Sequence, residues 1–545
     1  MHLSSEPIPR PYALAALAAV GVGLVFLHVN AYVEILIDDA FIFLQFAETL
    51  LADGTWGFYP GMEANTVTSP LTVLVLAVLT LIVPGAAAAV AFDTLAWSAM
   101  LGLLLLMSRR FTGLLLPGVI AGAALLFNPL MVSSLGMEAS LFGALFFGAL
   151  YAAAAERFRT SAALAALLTL ARPDGALLFV LLWPQIPGWR ERLRSILAFG
   201  LTAAPWYLYS WVYLGSLLPE SFFIKTSTLA AWGPWTFSNG FALYFGRMQL
   251  EILLTVFFAL FLVLLPRFKG SAAARTAATA GAFALGHGVV YSAMEVPPYH
   301  WYYVPQILAL VFLGAFALGL SRPSDDASPA RRTAWRLAIA AALLVPALGL
   351  LELHRRAGFD LQEMPLHSNW ASAREYREIA EWLGAEAPRH AFGLVGGEIG
   401  ALSYYCDCYF LDHFTDRRVT AVTIKQSLEK RSWMQPLMLL NFFFYEDANT
   451  YPPVYFFLKG DLDSPSEGLG PLVKRWQFGN RWEQETWLSL FAIASKMPNH
   501  PGFTPPGAEP DDAEGGRAEP TDLKPTDDTE PPAAETEPPK STAGP

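Results

Sequence analysis

The chain is poor in the residues that most soluble enzymes rely on. Only two cysteines occur in 545 residues, Cys406 and Cys408, together with nine histidines. A CxC pair supplies two thiols, short of the four ligands of a structural zinc site. Alternate strand residues face the same way, so the two are either neighbouring free thiols or a local bridge. Charged residues make up 15% of the chain, against roughly 25% in ordinary soluble proteins. There is no GxxxxGK[ST] loop, no HExxH helix and no nucleic-acid-binding signature. GGEIG at 396–400 is an incomplete dinucleotide fingerprint and reads as a tight strand-to-helix turn. Nothing here points to a nucleotide cofactor, zinc proteolysis or nucleic acid as a partner.

What the chain does have is hydrocarbon. Hydrophobic residues reach 54% and mean hydropathy is +0.38. Backbone polar groups cannot be left unpaired in lipid, so repeated apolar runs imply a polytopic α-helical membrane protein. About eleven spans are expected, near 12–29, 87–107, 113–127, 139–155, 161–171, 175–187, 195–213, 249–265, 272–292, 303–320 and 336–351. The first follows Arg10 without a small-residue cleavage site and reads as a retained signal anchor. The stretch 69–83, between Pro70 and Pro84, has about 14 apolar residues, reaching roughly 20 Å of a ~30 Å core. It is expected to be a re-entrant or juxtamembrane helix.

With that stretch excluded, the basic clusters share one side of the membrane. Arg109 and Arg110, Arg157 and Arg159, Arg190, Arg192 and Arg194, Arg267, Lys269 and Arg275, and Arg322 to Arg336 all fall with the N-terminus. The positive-inside rule makes that side cytoplasmic and the protein a multi-pass component of a cytoplasmic (inner) membrane. The opposite face receives the first loop at about 30–86, then 128–138, 172–175, 214–248, 293–302 and everything after 352. Residues 1–351 thus read as a transmembrane region. Residues 352–500 read as a small extracytoplasmic α/β domain, with strand-like runs at 391–395 and 453–458 and a helix-like run at 370–384. The last segment, 501–545, has 11 prolines, 11 acids and 3 bases, and is expected to be a disordered acidic tail.

The first loop carries IDDAFIFLQFAETLLADGTWGFYPGMEANTVTSP from Ile37 to Pro70. This resembles the first extracytoplasmic loop of GT-C glycosyltransferases of the terminal arabinofuranosyltransferase type, a DDAFI run followed by G-x-G, N-P-G-E and T-S-P or T-N-P. In the same order, SLGMEASLF at 134–142, ARPDGAL at 171–177, LLPESFFIK at 217–225 and PPYHWYYVP at 297–305 resemble later family motifs. GEIGALSYYCDCYFLDHFTD at 397–416 resembles the Gly-rich strand-turn-strand of the family's C-terminal domain. Gln45 stands where an Arg is usual, Tyr59 replaces Asn, Val67 replaces Tyr and Glu220 replaces Asn. The resemblance implies a GT-C transmembrane catalytic domain. It also implies transfer of a sugar, arabinofuranose in the nearest relatives, from a polyprenyl-phosphate donor to an envelope polysaccharide or glycolipid. The residues themselves leave a hexose or another pentose open.

The residues supply a chemistry for such a transfer. Inversion needs a base for the acceptor proton, and a carboxylate at the water–lipid boundary is raised in pKa by desolvation and by a like-charged neighbour. Asp38 is the expected base. Asp39 would orient the acceptor or help bind a divalent cation, Mg, Mn or Ca; acids at a helix start are the competing account of both. Positive charge for the leaving phosphate is expected from Arg172, Lys225, Arg247 and His300. Against these stand a structural Arg172–Asp174 pair, snorkelling of Lys225 and Arg247, and an aromatic belt around His300. Glu138 is expected to bind acceptor hydroxyls or a cation, or simply to start a helix. The aromatic residues of 206–237 suit headgroup anchoring or sugar stacking. A transporter or lipid-linked-sugar flippase is the alternative; it would be expected to show internal repeats and midplane charges, and no clear repeat is seen. An assembly factor with a sugar-binding outer domain would need dispensable carboxylates.

Overall fold

Apolar composition becomes helix over most of the first 356 residues. The computed structural model describes residues 10–227, 232–359, 363–366, 369–386, 392–395, 398–406, 409–412, 415, 435–445, 455–459, 469–478 and 486–493. Residues Met1–Ser495 form one compact unit. The expected acidic tail lies outside the described residues.

The helices are α1 (Arg10–Asn30), α2 (Asp38–Asp53), α3 (Pro70–Thr80), α4 (Ala86–Thr112), α5 (Leu116–Leu126), α6 (Pro129–Val132), α7 (Ala139–Ala154), α8 (Phe158–Ala171) and α9 (Ala176–Leu182). They continue as α10 (Gly188–Val212), α11 (Glu220–Ser227), α12 (Gly240–Arg247), α13 (Gln249–Thr255), α14 (Ser271–Ala293), α15 (Val304–Leu320) and α16 (Pro329–Arg356). Prolines open α3, α15 and α16 within their first two positions, where the missing N–H has no intrahelical partner to lose. Among the described residues, Ala15–Ile35, Ala86–Thr112, Gln249–Arg267, His300–Leu320 and Pro329–Arg356 are long and apolar enough to cross a bilayer. With the shorter apolar helices beside them, they make a polytopic helical membrane protein.

Two expected spans are not a single α-helix. The segment near 249–265 is α13 followed by a 3-10 stretch, Phe257–Arg267. The one near 175–187 is the seven-residue α9 followed by a single 3-10 turn, Trp183–Gln185, because Pro184 cannot donate to the helix ladder. The short α3 has 11 residues, about 16 Å of rise, too little to span. It lies against α2, α4 and α8.

Beyond α16 come α17 (Ala373–Glu386), β1 (Phe392–Val395), α18 (Gly400–Tyr405), β2 (Tyr409–Leu411), α19 (Gln435–Asn441), β3 (Tyr455–Lys459), β4 (Leu469–Phe478) and β5 (Thr486–Ile493). They build a mixed sheet of order β2-β1-β3-β5-β4. β1 is parallel to β2 and β3, while β5 is antiparallel to β3 and β4. Where a strand-turn-strand was expected at 397–416, the helix α18 intervenes, and it packs directly on α2 of the first loop. Trp382 of α17 meets Trp476 of β4 edge-on at 5.4 Å. Cys406, at the end of α18, is disulfide-bonded, which selects the bridge over the free thiols.

Candidate active site in the first loop

Helix α2 begins at the acid pair, and the two carboxylates meet opposite surroundings. Asp38 is 5% exposed. Its Oδ2 accepts from the Gly400 amide at 2.9 Å and its Oδ1 from the Ala401 amide at 2.7 Å. It therefore ties the first turn of α18 to the first turn of α2. Burial pushes its pKa up to about 7, with the two amides opposing and Asp39 assisting. The contact demands a glycine: a Cβ at Gly400 would overlap the Asp38 carbonyl oxygen and reach 2.9 Å from Ile42 Cγ1. Asp39, one residue on, is half-buried and accepts no hydrogen bond among the described residues.

Asp39 instead faces charge. It raises the pKa of both Lys225 and Glu138, which lie within its electrostatic reach. The Lys225 ammonium sits in an aromatic cage, 4.9 Å from the Tyr299 ring centre, 5.7 Å from Trp301 and 6.0 Å from Tyr302. Burial works against its charge, but Tyr302, Asp39, Tyr299 and Glu138 outweigh that and hold it protonated. The rings expected to mark an aromatic belt thus have a second task, holding a cation beside the acid pair.

Behind this face lies a buried ionic network. Arg172 is 4% exposed and donates to Glu138 at 3.3 Å, the Trp301 carbonyl at 3.2 Å, Asp174 at 2.9 Å and the Tyr291 hydroxyl at 3.0 Å. Asp174 also meets His287 Nε2 at 2.9 Å and accepts from Tyr291 at 2.8 Å. Burial alone would raise the Asp174 pKa, but Arg172 and His287 hold it well below the usual carboxylate range. Arg172 thus has the structural pair with Asp174, and its guanidinium is spent on protein partners. Glu138 is 3% exposed. One of its oxygens takes the Arg172 bond, while Oε2 is buried with no partner among the described residues. Burial raises its pKa, and Arg172 partly offsets the rise.

The remaining candidates lie apart from this chemistry. His300 is fully buried, with Nε2 3.0 Å from the Ser133 carbonyl oxygen and Nδ1 without a partner among the described residues. Arg247 is exposed at the end of α12. Among the described residues no three His, Cys, Asp or Glu side chains converge as metal ligands do.

Several supporting residues escaped sequence reasoning. Glu398 accepts both the Trp370 amide, at 2.7 and 2.8 Å, and the Tyr376 hydroxyl. Tyr59, which stands where the resemblance expects Asn, bonds Ser403 at 2.8 Å and the Phe410 amide at 2.7 Å, fastening the loop to α18 and β2. Asp93, a lone acid in an apolar helix, accepts from the Gly136 amide at 2.6 Å and from Ser140 at 2.6 Å. Gly136, at φ +79°, lies so near α2 that a Cβ there would be 2.7 Å from Ala40 Cβ. An isolated carboxylate inside a span is a usable signal; the Tyr59 and Glu398 contacts bridge more than 300 and 20 residues respectively and leave no local pattern.

No family model and no curated protein matches the chain. Among solved structures it is similar to ArnT from Cupriavidus metallidurans, determined with undecaprenyl phosphate bound. The TM-score is 0.53 and identity 15%, over 90% of this chain and 99% of that one. It is also similar to the arabinosyltransferase EmbB from Mycobacterium smegmatis, with TM-score 0.40 and identity 14%, over 82% of this chain and 42% of that one. The likeness to ArnT shows that the two chains share a fold.

Proposed function

We propose that this GT-C-fold membrane protein is an inverting glycosyltransferase that takes a sugar from a polyprenyl-phosphate donor and delivers it to an envelope glycan or glycolipid outside the cytoplasm. The observation that carries the reading is a half-buried carboxylate, Asp39, beside a caged ammonium, Lys225, where the first loop meets the membrane helices. Asp39 takes the acceptor hydroxyl proton as that oxygen attacks the anomeric carbon. The bond to the lipid phosphate breaks, and Lys225 stabilises the phosphate that leaves. Asp38 shapes the site from behind by locking α18 onto α2. This exchanges the roles expected from the sequence, because both Asp38 oxygens are engaged by amides.

Asp38 as base is the second reading, favoured by its pKa near 7, which suits a group that accepts a proton at neutral pH. Glu138, with one unpartnered oxygen at the same face, is the residue for an acceptor hydroxyl. Arg247 and His300 remain outer candidates for the donor phosphate. The bound lipid of the ArnT structure supports the donor class, and the resemblance of the loop motifs supports arabinofuranose as the first sugar to try. A cytoplasmic N-terminus and an extracytoplasmic sheet follow from the basic loops, and the bridged Cys406 agrees with an oxidising compartment.

The test is transfer by purified protein in nanodiscs, with a panel of radiolabelled polyprenyl-phosphate sugars and an envelope-extract acceptor. Wild type should release lipid phosphate and label the acceptor. Asp39→Asn should lose about 100- to 10,000-fold in rate while keeping its fold. Equal transfer by Asp39→Asn with loss in Asp38→Asn would return the base to Asp38. Transport of intact lipid-linked sugar without release of phosphate would replace the enzyme with a flippase.

A further inference from the structure

A cavity of ≈ 450 Å³ lies on the membrane-facing side of α4, α7 and α8, outside the site described above. Its floor is made of side chains too small to fill it, Ala96, Ala99, Ala144 and Gly148, and it opens outward past Leu95, which is 58% exposed. Val75 of α3 also lines it, as do Arg157 and Thr160 at the start of α8. The other walls are hydrocarbon, so the cavity suits an alkyl chain and no polar ligand along its length.

The polar end determines which lipid. Arg157 is exposed at the start of α8; its backbone bonds Ala152 and Ser161, while its guanidinium has no hydrogen-bond or ion-pair partner among the described residues. Arg110 lies at the same end, with its guanidinium 2.7 Å from the Ala154 carbonyl oxygen, and Arg109 is exposed beside it. Glu156 is the one acid next to these three bases. The neighbouring Arg159 is already paired with Glu191 at 3.0 Å. Helix α7 separates this cluster from Glu138 by 16 residues, about 24 Å of rise. A headgroup here therefore sits at the opposite membrane face from Asp39 and Lys225.

We infer that this groove is a binding site for an anionic phospholipid, distinct from the donor lipid, with one acyl chain in the cavity and the phosphate headgroup on Arg157. The apolar walls hold the chain, and the free guanidinium selects negative charge. The inference does not depend on the proposed reaction.

Native mass spectrometry of the full-length protein in mild detergent reads the site directly, with added phosphatidylglycerol or phosphatidylcholine of identical acyl chains. Wild type should retain phosphatidylglycerol about five-fold better, the ratio expected of one basic residue at a membrane surface. Arg157→Gln should bring phosphatidylglycerol down to the phosphatidylcholine level, and Arg157→Lys should restore most of the preference. Ala99→Leu, which places bulk in the groove, should lower retention of both lipids, and near-unchanged circular dichroism will show that these variants fold. Equal retention of the two lipids by wild type, an unaltered preference in Arg157→Gln, or full retention in Ala99→Leu would each overturn the assignment.

Discussion

Replacing Gly400 with Ala should loosen the junction between α18 and the acid pair. The new Cβ would overlap the Asp38 carbonyl oxygen, a backbone atom that cannot swing aside as a flexible side chain does. Restoring an ordinary contact requires α18 to retreat by about 1 Å. That displacement carries the Gly400 and Ala401 amides, now 2.9 and 2.7 Å from the Asp38 carboxylate, beyond useful hydrogen-bond range. Overpacking costs about 1–3 kcal/mol and a hydrogen bond to a charged group about 1.5–3 kcal/mol; with partial relaxation the expected loss is about 3 kcal/mol. Hydrogen–deuterium exchange of a peptide covering 398–406 should then show protection reduced by about 100-fold, and sugar transfer should fall with it. Gly384→Ala is the control, because a Cβ there meets nothing within 4 Å and Ala favours the helix. Exchange in Gly400→Ala no faster than in Gly384→Ala would refute the idea that this glycine sets the junction.

Three other outcomes follow from the same geometry. Lys225→Met should raise the KM for the lipid-linked donor by about 10- to 100-fold, the worth of a charge-assisted contact to phosphate, with Lys225→Arg intermediate; steady-state kinetics against donor concentration checks this. Arg172→Met should leave Glu138 without its ion-pair partner and Asp174 with only His287 and Tyr291, and cost about 3–5 kcal/mol, seen as loss of monodisperse protein on size exclusion. Asp38 has a folded pKa of about 7 against an ordinary 3.8, so the folded state holds its proton more tightly than the unfolded state. Its contribution to stability is therefore full below about pH 4 and is lost as pH rises through 7. Thermal unfolding from pH 4.5 to 7.5 should show a decline that Asp38→Asn flattens.

The helical membrane class was legible in the sequence, because lipid leaves an apolar chain few ways to satisfy its backbone. So was the shortness of α3, bounded by prolines. The tertiary structure decided which carboxylate faces what. Asp38 and Asp39 are adjacent in sequence, but successive positions on a helix point about 100° apart, so Asp38 turns to the amides of α18 and Asp39 does not. It also decided that Arg172 serves Asp174 and Glu138, that Lys225 is caged by Tyr299, Trp301 and Tyr302, and that His300 is buried. Such choices depend on burial and on partners more than 100 residues away, from Arg172 to Trp301 and from Asp38 to Gly400, which no local pattern encodes. The sequence determines that this chain lives in a membrane and carries an acid pair at the start of α2; packing determines that Asp38 is the one engaged by the amides of α18.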